Sequence, residues 1–226
     1  MRNSSVTLDK MFILAAAAHR ANEGRYINME TKNKDNKTNK ELMQEFFEGK
    51  QELLDTDTVL GEQVRAHFNG LLFKKITGKL NGFEQTIAEL LDQESVPQWK
   101  MGLFAALPSA YMRECKKENI LENIVTLAAN SRHIPLDTKA KEMVVKILDS
   151  VQLKLYNCYT ITAVTDTGHL VGFYMKTDPK PLGTDYITIR ARVKNHGMYK
   201  RNVEITYLNY VKPVETKIKE TVCASQ

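Results

Sequence analysis

The chain has 226 residues, 42% hydrophobic and 26% charged, with 32 Lys and Arg against 27 Asp and Glu, a net charge of +5 and an isoelectric point of about 8.9. These values exclude wholesale disorder and leave room for one large domain or two small ones, each with a real core. The mild basic excess leaves a polyanionic partner open without requiring one, and three scattered cysteines, Cys115, Cys158 and Cys223, exclude a disulfide framework and fit a reducing cytosol.

The first elements read as helices. Residues 7–20 follow a capping candidate, Thr7, into an Ala-rich run. Within it, "MFILAAAA" is too short for a membrane span. It also lacks a strongly basic start, with only Arg2 and Lys10 before it, so it reads as a buried helix turn rather than a signal core. Residues 28–40 are polar, rich in Asn and Lys, and read as a mobile linker or loop. Thr38 with Glu41 three positions on is a capping-box signature, and apolar residues at helical spacing carry the pattern to Leu54. A further start at Thr58 leads to about Leu80, with Val64, Phe68, Leu71, Leu72 and Ile76 inward. A helix over 81–93 turns Phe83, Ile87, Leu90 and Leu91 inward. Pro97 and Pro108 belong in first helical turns or just before them. The spacing predicts an all-helical region over residues 1–132.

Character changes near Pro135. Residues 142–155 form a long β run, bent or bulged near Asp149-Ser150. Four more runs follow at 158–165, 170–176, 186–195 and 203–212, with a long Pro- and Gly-containing connection between the third and fourth. The expected class is α+β, an all-helical N-terminal region followed by a five-stranded OB-fold, the Greek-key barrel that binds oligonucleotides across its second and third strands and two adjoining loops. An SH3-like barrel or a plain antiparallel sheet would read similarly. The barrel is assigned to residues 136–214 and a flexible tail to 215–226.

The stretch "ITIRARVKNHGMYKRNVEITYLNYVK" concentrates charge. Period-2 alternation sends Ile187, Ile189, Ala191 and Val193 to the core and Thr188, Arg190, Arg192 and Lys194 to the opposite face. Between residues 178 and 212, seven Lys or Arg stand against three acids, so most of the chain's positive excess lies there. A single-strand binder needs cations for phosphates and rings for bases. Candidate rings are Tyr156, Tyr159, Phe173, Tyr174 and Tyr199. Phe173 is expected inward with Val171 and Met175, which leaves Tyr174 outward with Gly172 and Lys176, and Gly172 open to a close-approaching base or another backbone. His196, Lys200 and Arg201 join the set from the turn after the fourth strand. An ordinary solvated sheet face would show the same alternation, and edge Lys or Arg also discourages aggregation.

Motifs sharpen this. Asp166 with Gly168-His169, Phe173, Gly183 with Asp185, Val193-Lys194 with His196, Tyr199-Lys200, and Thr206, Leu208, Val211 together form a pattern. It is similar to a small OB-fold module of bacteriophage-encoded DNA-metabolism proteins, over the last third of the chain. The chain departs from that pattern in Thr184, inserted between Gly and Asp, and in Arg201-Asn202, where a Gly is usual. The resemblance implies single-stranded nucleic-acid binding, DNA before RNA, in phage replication, recombination or transcription in a host cytoplasm. It names no reaction.

No phosphate loop and no nucleophile turn is present, the five His are scattered, and no acid set stands at metal-nuclease spacing, so neither enzyme nor cofactor is expected. The helical region is assigned to a second replication or transcription protein or to self-association. The runner-up is a protein–protein adaptor that uses the barrel as scaffold.

Overall fold

The computed structural model describes residues 5–76, 78, 80–137, 139–178 and 186–214. The chain divides into two compact units, Met1–Lys116 and Lys117–Gln226.

The first unit is built around an apolar helix. Its elements are β1 (Ser5–Thr7), α1 (Leu8–Ala21), α2 (Asn39–Phe47), α3 (Asp55–Ile76), α4 (Gly82–Leu91), β2 (Ser95–Pro97), α5 (Met101–Phe104) and the start of α6 (Leu107–Leu127). Met11, Phe12, Leu14 and Ala15 to Ala18 of α1 are all buried, because a helix apolar on every side is stable only when covered on every side. Small residues let α3 come close. A side chain at Gly61 would begin 3.0 Å from the Ile13 backbone nitrogen.

The predicted capping box holds: the Thr38 hydroxyl accepts from Glu41 N–H, and the Glu41 carboxylate accepts from Thr38 N–H. Asn81 and Glu84 form a second one at α4. Two boundaries and one buried stripe differ from expectation. Helix α2 stops at Phe47 because Gly49 takes a left-handed conformation, φ +71°. Helix α3 starts at Asp55, where the buried Asp57 carboxylate accepts from Leu54 N–H and from the Arg20 guanidinium. In α4 the buried stripe begins at Ile87, which leaves Phe83 exposed.

The region is also not wholly helical. Val6 and Val96 pair as the centre of the two-stranded sheet β1–β2, both buried, and Pro97 closes β2. Strands of three residues are too short for alternation to register. The polar stretch over residues 28–40 joins α1 to α2 inside this unit and is fastened at both ends. Fully buried Asn39 accepts from Asn22 Nδ2 and Ile27 N–H and donates to the Arg25 carbonyl.

The second unit is a closed barrel with the tail of α6. Strands β3 (Lys141–Leu153), β4 (Cys158–Thr165), β5 (Leu170–Met175), β6 (Tyr186–Met198) and β7 (Glu204–Pro213) close in the order β3-β4-β5-β7-β6. Only β5 with β7 is parallel; the other pairs are antiparallel. This is the five-stranded Greek-key arrangement of an OB-fold. The expected bend is a register shift between Ile147 and Asp149, which lets β3 pair with β6 through its first half and with β4 through its second. Val145, Ile161, Ala163, Val171, Phe173, Ile189, Ala191 and Leu208 fill the interior.

A second cluster sits outside the barrel wall. Ile124 and Ala128 cover Val164, Leu170, Val203 and Ile205. The connector then docks: Ser131 Oγ donates to the Glu204 carbonyl and accepts from Leu170 N–H, and Ile134 N–H donates to Thr206 Oγ1. No helix among the described residues is long and apolar enough to cross a membrane. The Gly183, Thr184 and Asp185 positions, Cys223 and the tail over 215–226 lie outside the described residues.

Candidate nucleic-acid interface

On β6 the alternation is as the sequence predicts. Ile187, Ile189, Ala191 and Val193 are buried, and Arg190, Arg192 and Lys194 are exposed. Among the described residues none of these three cations makes an ion pair or side-chain hydrogen bond. Register sets Arg190 between Glu142 of β3 and Lys212 of β7, and Arg192 beside Asn209. Between those two arginines β7 carries one extra residue. That bulge holds Tyr210 at φ +52° with 75% of its surface exposed. A bulge re-aims the side chain it carries, and here it presents a ring to solvent beside the arginines.

Strand β5 adds a second ring. Val171, Phe173 and Met175 point inward, as expected, and Tyr174 points outward, 62% exposed. Tyr174 stands opposite Thr160 of β4, which stands opposite Val151 of β3. At Gly172 the close approach expected is made, but by side chains of this chain rather than by a backbone. The outer side of Gly172 is filled by protein: a Cβ there would meet the Tyr207 ring at 3.1 Å and Ile205 at 3.2 Å. At Gly197 a Cβ would meet the other edge of the same ring at 2.8 Å. Two glycines on flanking strands thus seat Tyr207, which keeps 38% of its surface exposed. Tyr207 and Tyr210 escape a reading of the sequence because their placement depends on register.

The remaining candidates divide. Lys176 and Lys200 are exposed. Tyr159 shares the inward register with Ile161 and Ala163 and packs on the barrel core, so it is not on the outer face. Tyr199 is half-buried against the cluster under α6. Burial first, then the neighbouring Asp149 and Tyr207, pushes its hydroxyl above the usual tyrosine range. Arg201 is paired with Glu118 of α6. Arg201 and Asn202 have φ of +55° and +59°, the left-handed conformation that a Gly takes at lower cost. His196 is turned away from the face: its Nε2 lies 2.7 Å from the Ile134 carbonyl, and its ring stacks on His133 at 4.4 Å. The register shift between Val193 and Asn195 resets the alternation and sends His196 to the connector side.

The face therefore holds Tyr174, Tyr207 and Tyr210 with Arg190, Arg192 and Lys194, on three adjacent strands, β5, β7 and β6. Leu155 and Tyr156, in the turn between β3 and β4, are also strongly exposed. Among the described residues no group of three or more His, Cys, Asp or Glu is set to hold a metal ion. Comparison with protein-family models, curated proteins and solved structures finds no match to this chain.

Proposed function

We propose that the chain binds single-stranded nucleic acid, DNA before RNA, along the outer face of β5, β7 and β6. The observation that carries this reading is the pairing of three unpartnered cations with three exposed rings on one continuous sheet face. Cations track the phosphates, and bases stack on rings, each stack contributing ~1–3 kcal/mol. The resemblance to phage DNA-metabolism modules supports a setting in phage replication, recombination or transcription in the host cytoplasm. The helical unit is assigned to a protein partner or self-association, which size-exclusion chromatography with light scattering tests.

The test is fluorescence anisotropy of labelled dT oligomers across a salt series. Affinity is expected to fall steeply with salt, as counterion release requires. Each phosphate contact on a single strand contributes ~0.7 to the log–log slope, so Arg190→Ala with Arg192→Ala is expected to reduce it by ~1.4. Tyr174→Ala is expected to weaken binding ~5- to 100-fold with little change in slope. No binding at low salt, or variants that bind like the parent, would defeat the reading. The adaptor alternative draws on Val151 of β3 and Leu155 in the turn after it, both apolar and exposed, and predicts a captured protein with no oligonucleotide binding.

A further inference from the structure

The first unit contains a second cationic site, distinct from the barrel face. A cleft of about 760 Å³ opens between α6 and the loop that follows α1. One wall is a helical stripe, Ser109, Met112, Arg113 and Lys116, at the i, i+3, i+4, i+7 spacing that puts four residues on one side of α6. The facing loop contributes Arg25, Tyr26, Asn33 and Asn36. No residue lining the cleft is acidic. Arg113 and Lys116 make no ion pair among the described residues; the Arg113 Nε–H donates only to the Ser109 carbonyl. Arg25 is shared with the exposed carboxylate of Glu23.

The walls are fixed before any ligand arrives. Buried Asn22 and Asn39 bond each other and hold the loop through Arg25, Ile27 and Lys37. At the foot of the stripe Ser109 Oγ lies 3.2 Å from Nδ1 of buried His19. Burial lowers the proton affinity of His19, and its Nδ1 shares a hydrogen bond with the Ser109 hydroxyl. The charge in the cleft therefore comes from guanidinium and ammonium groups at its mouth, and its apolar surface from Tyr26 and Met112. Paired cations beside a ring and a thioether suit a phosphate joined to a flat heterocycle: the cations take the phosphate, the ring and sulfur take the heterocycle, and the Asn33 and Asn36 amides can meet polar edges.

We infer that this cleft binds a phosphomonoester carrying a planar base, a nucleoside monophosphate in chemical terms, with Arg113 and Lys116 on the phosphate and Tyr26 against the base. The phosphomonoester can come from a free nucleotide or from the 5′-phosphorylated end of a strand.

The experiment is calorimetric titration of the full chain with thymidine 5′-monophosphate, thymidine and inorganic phosphate. The nucleotide is expected to bind at least ten times more tightly than either half. Arg113→Gln with Lys116→Gln, both at the cleft mouth, is expected to lower its affinity at least tenfold with helix content unchanged by circular dichroism. Tyr26→Leu is expected to weaken the nucleotide and leave inorganic phosphate as it was. Arg190→Ala with Arg192→Ala, on the barrel, is expected to leave nucleotide affinity unchanged. That control separates failure here from failure of the single-strand reading. Tighter competition by a 5′-phosphorylated oligomer than by its unphosphorylated twin identifies the strand end as the source; equal competition identifies the free nucleotide. Thymidine binding as well as its phosphate, or an unchanged Gln double variant, overturns the inference.

Discussion

The barrel's outer face and part of the helical unit hold their cations differently. In the helical unit Arg20 is tied to Asp57, Arg65 to Asp9, Lys32 to Glu41, Lys37 to Glu45 and Lys75 to Asp92, while Arg113 and Lys116 have no such tie among the described residues. On the barrel's outer face Arg190, Arg192 and Lys194 have no carboxylate partner among the described residues, although Glu142 stands beside Arg190 in register. Exposed ion pairs add little stability, typically 0–1 kcal/mol, so the contrast says little about folding. It bears on availability. A cation already held by a carboxylate must lose that partner before it meets a phosphate, and a free one does not.

The largest effects should come from the two cores, where charge plays no part. Phe12, edge-on to Phe104 in the helical unit, and Phe173 in the barrel are both almost fully buried. Truncating either to Ala is expected to cost ~3–5 kcal/mol in urea denaturation, since the cavity adds to the lost transfer energy. A loss below ~1 kcal/mol at Phe173 would mean the barrel interior is not packed as described.

Next comes Asn39. It fastens the long loop with three hydrogen bonds and no solvent contact. Asn39→Ala leaves Asn22 Nδ2 with only the Lys37 carbonyl and Ile27 N–H without its side-chain acceptor. It is expected to cost ~2–3 kcal/mol, because orphaned buried groups cost ~1–3 kcal/mol each. Asn39→Asp keeps one acceptor oxygen but sets the other against the Arg25 carbonyl and buries a carboxylate, so it should lose at least as much.

The contrast in charge is sharpened by removing tied cations. Arg65→Ala with Lys75→Ala deletes as much charge as the Arg190 and Arg192 pair. It is expected to leave the salt slope of oligonucleotide binding unchanged within ~0.3, against the fall of ~1.4 expected on the barrel. Equal falls would place the single strand on no particular face.

How much of this was legible depended on whether a feature is local. The Thr38–Glu41 capping box and the inward Ile187, Ile189, Ala191 and Val193 follow from spacing along one segment, and both stand. Strand β4 spans the 158–165 run that its composition marks. What failed required two segments at once. The seat of Tyr207 exists because Gly172 and Gly197 come from different strands and face the same ring. The exposure of Tyr210 depends on one extra residue in β7 against β6. His196 is turned from the face for the same reason: a slip at Lys194 reverses its side, and the bond that holds it comes from Ile134, 62 residues away. Tyr159 is different, since its spacing with Ile161 and Ala163 already marks it as inward.

The smallest expected effect is a pH dependence confined to the tied charges. The Glu41 carboxylate accepts from Lys32 Nζ and from the backbone and hydroxyl of Thr38, and these bonds hold its pKa down to about 2 from 4.5. A group whose folded-state pKa is depressed stabilises the fold above its unfolded value, and that contribution is lost as pH falls from about 4.5 towards 2. Glu41 is nearly half exposed, so solvent screening keeps the contribution within about 1 kcal/mol. Glu41→Gln separates charge from geometry, because a Gln at that position can still close the capping box. The urea midpoint is expected to fall more steeply between pH 5 and 2 in the parent than in Glu41→Gln. Parallel slopes would mean that Lys32 and Thr38 do not discriminate the carboxylate from an amide. Acid is therefore expected to erode this tie of the helical unit, whereas Arg190 and Arg192 have no carboxylate partner among the described residues to lose.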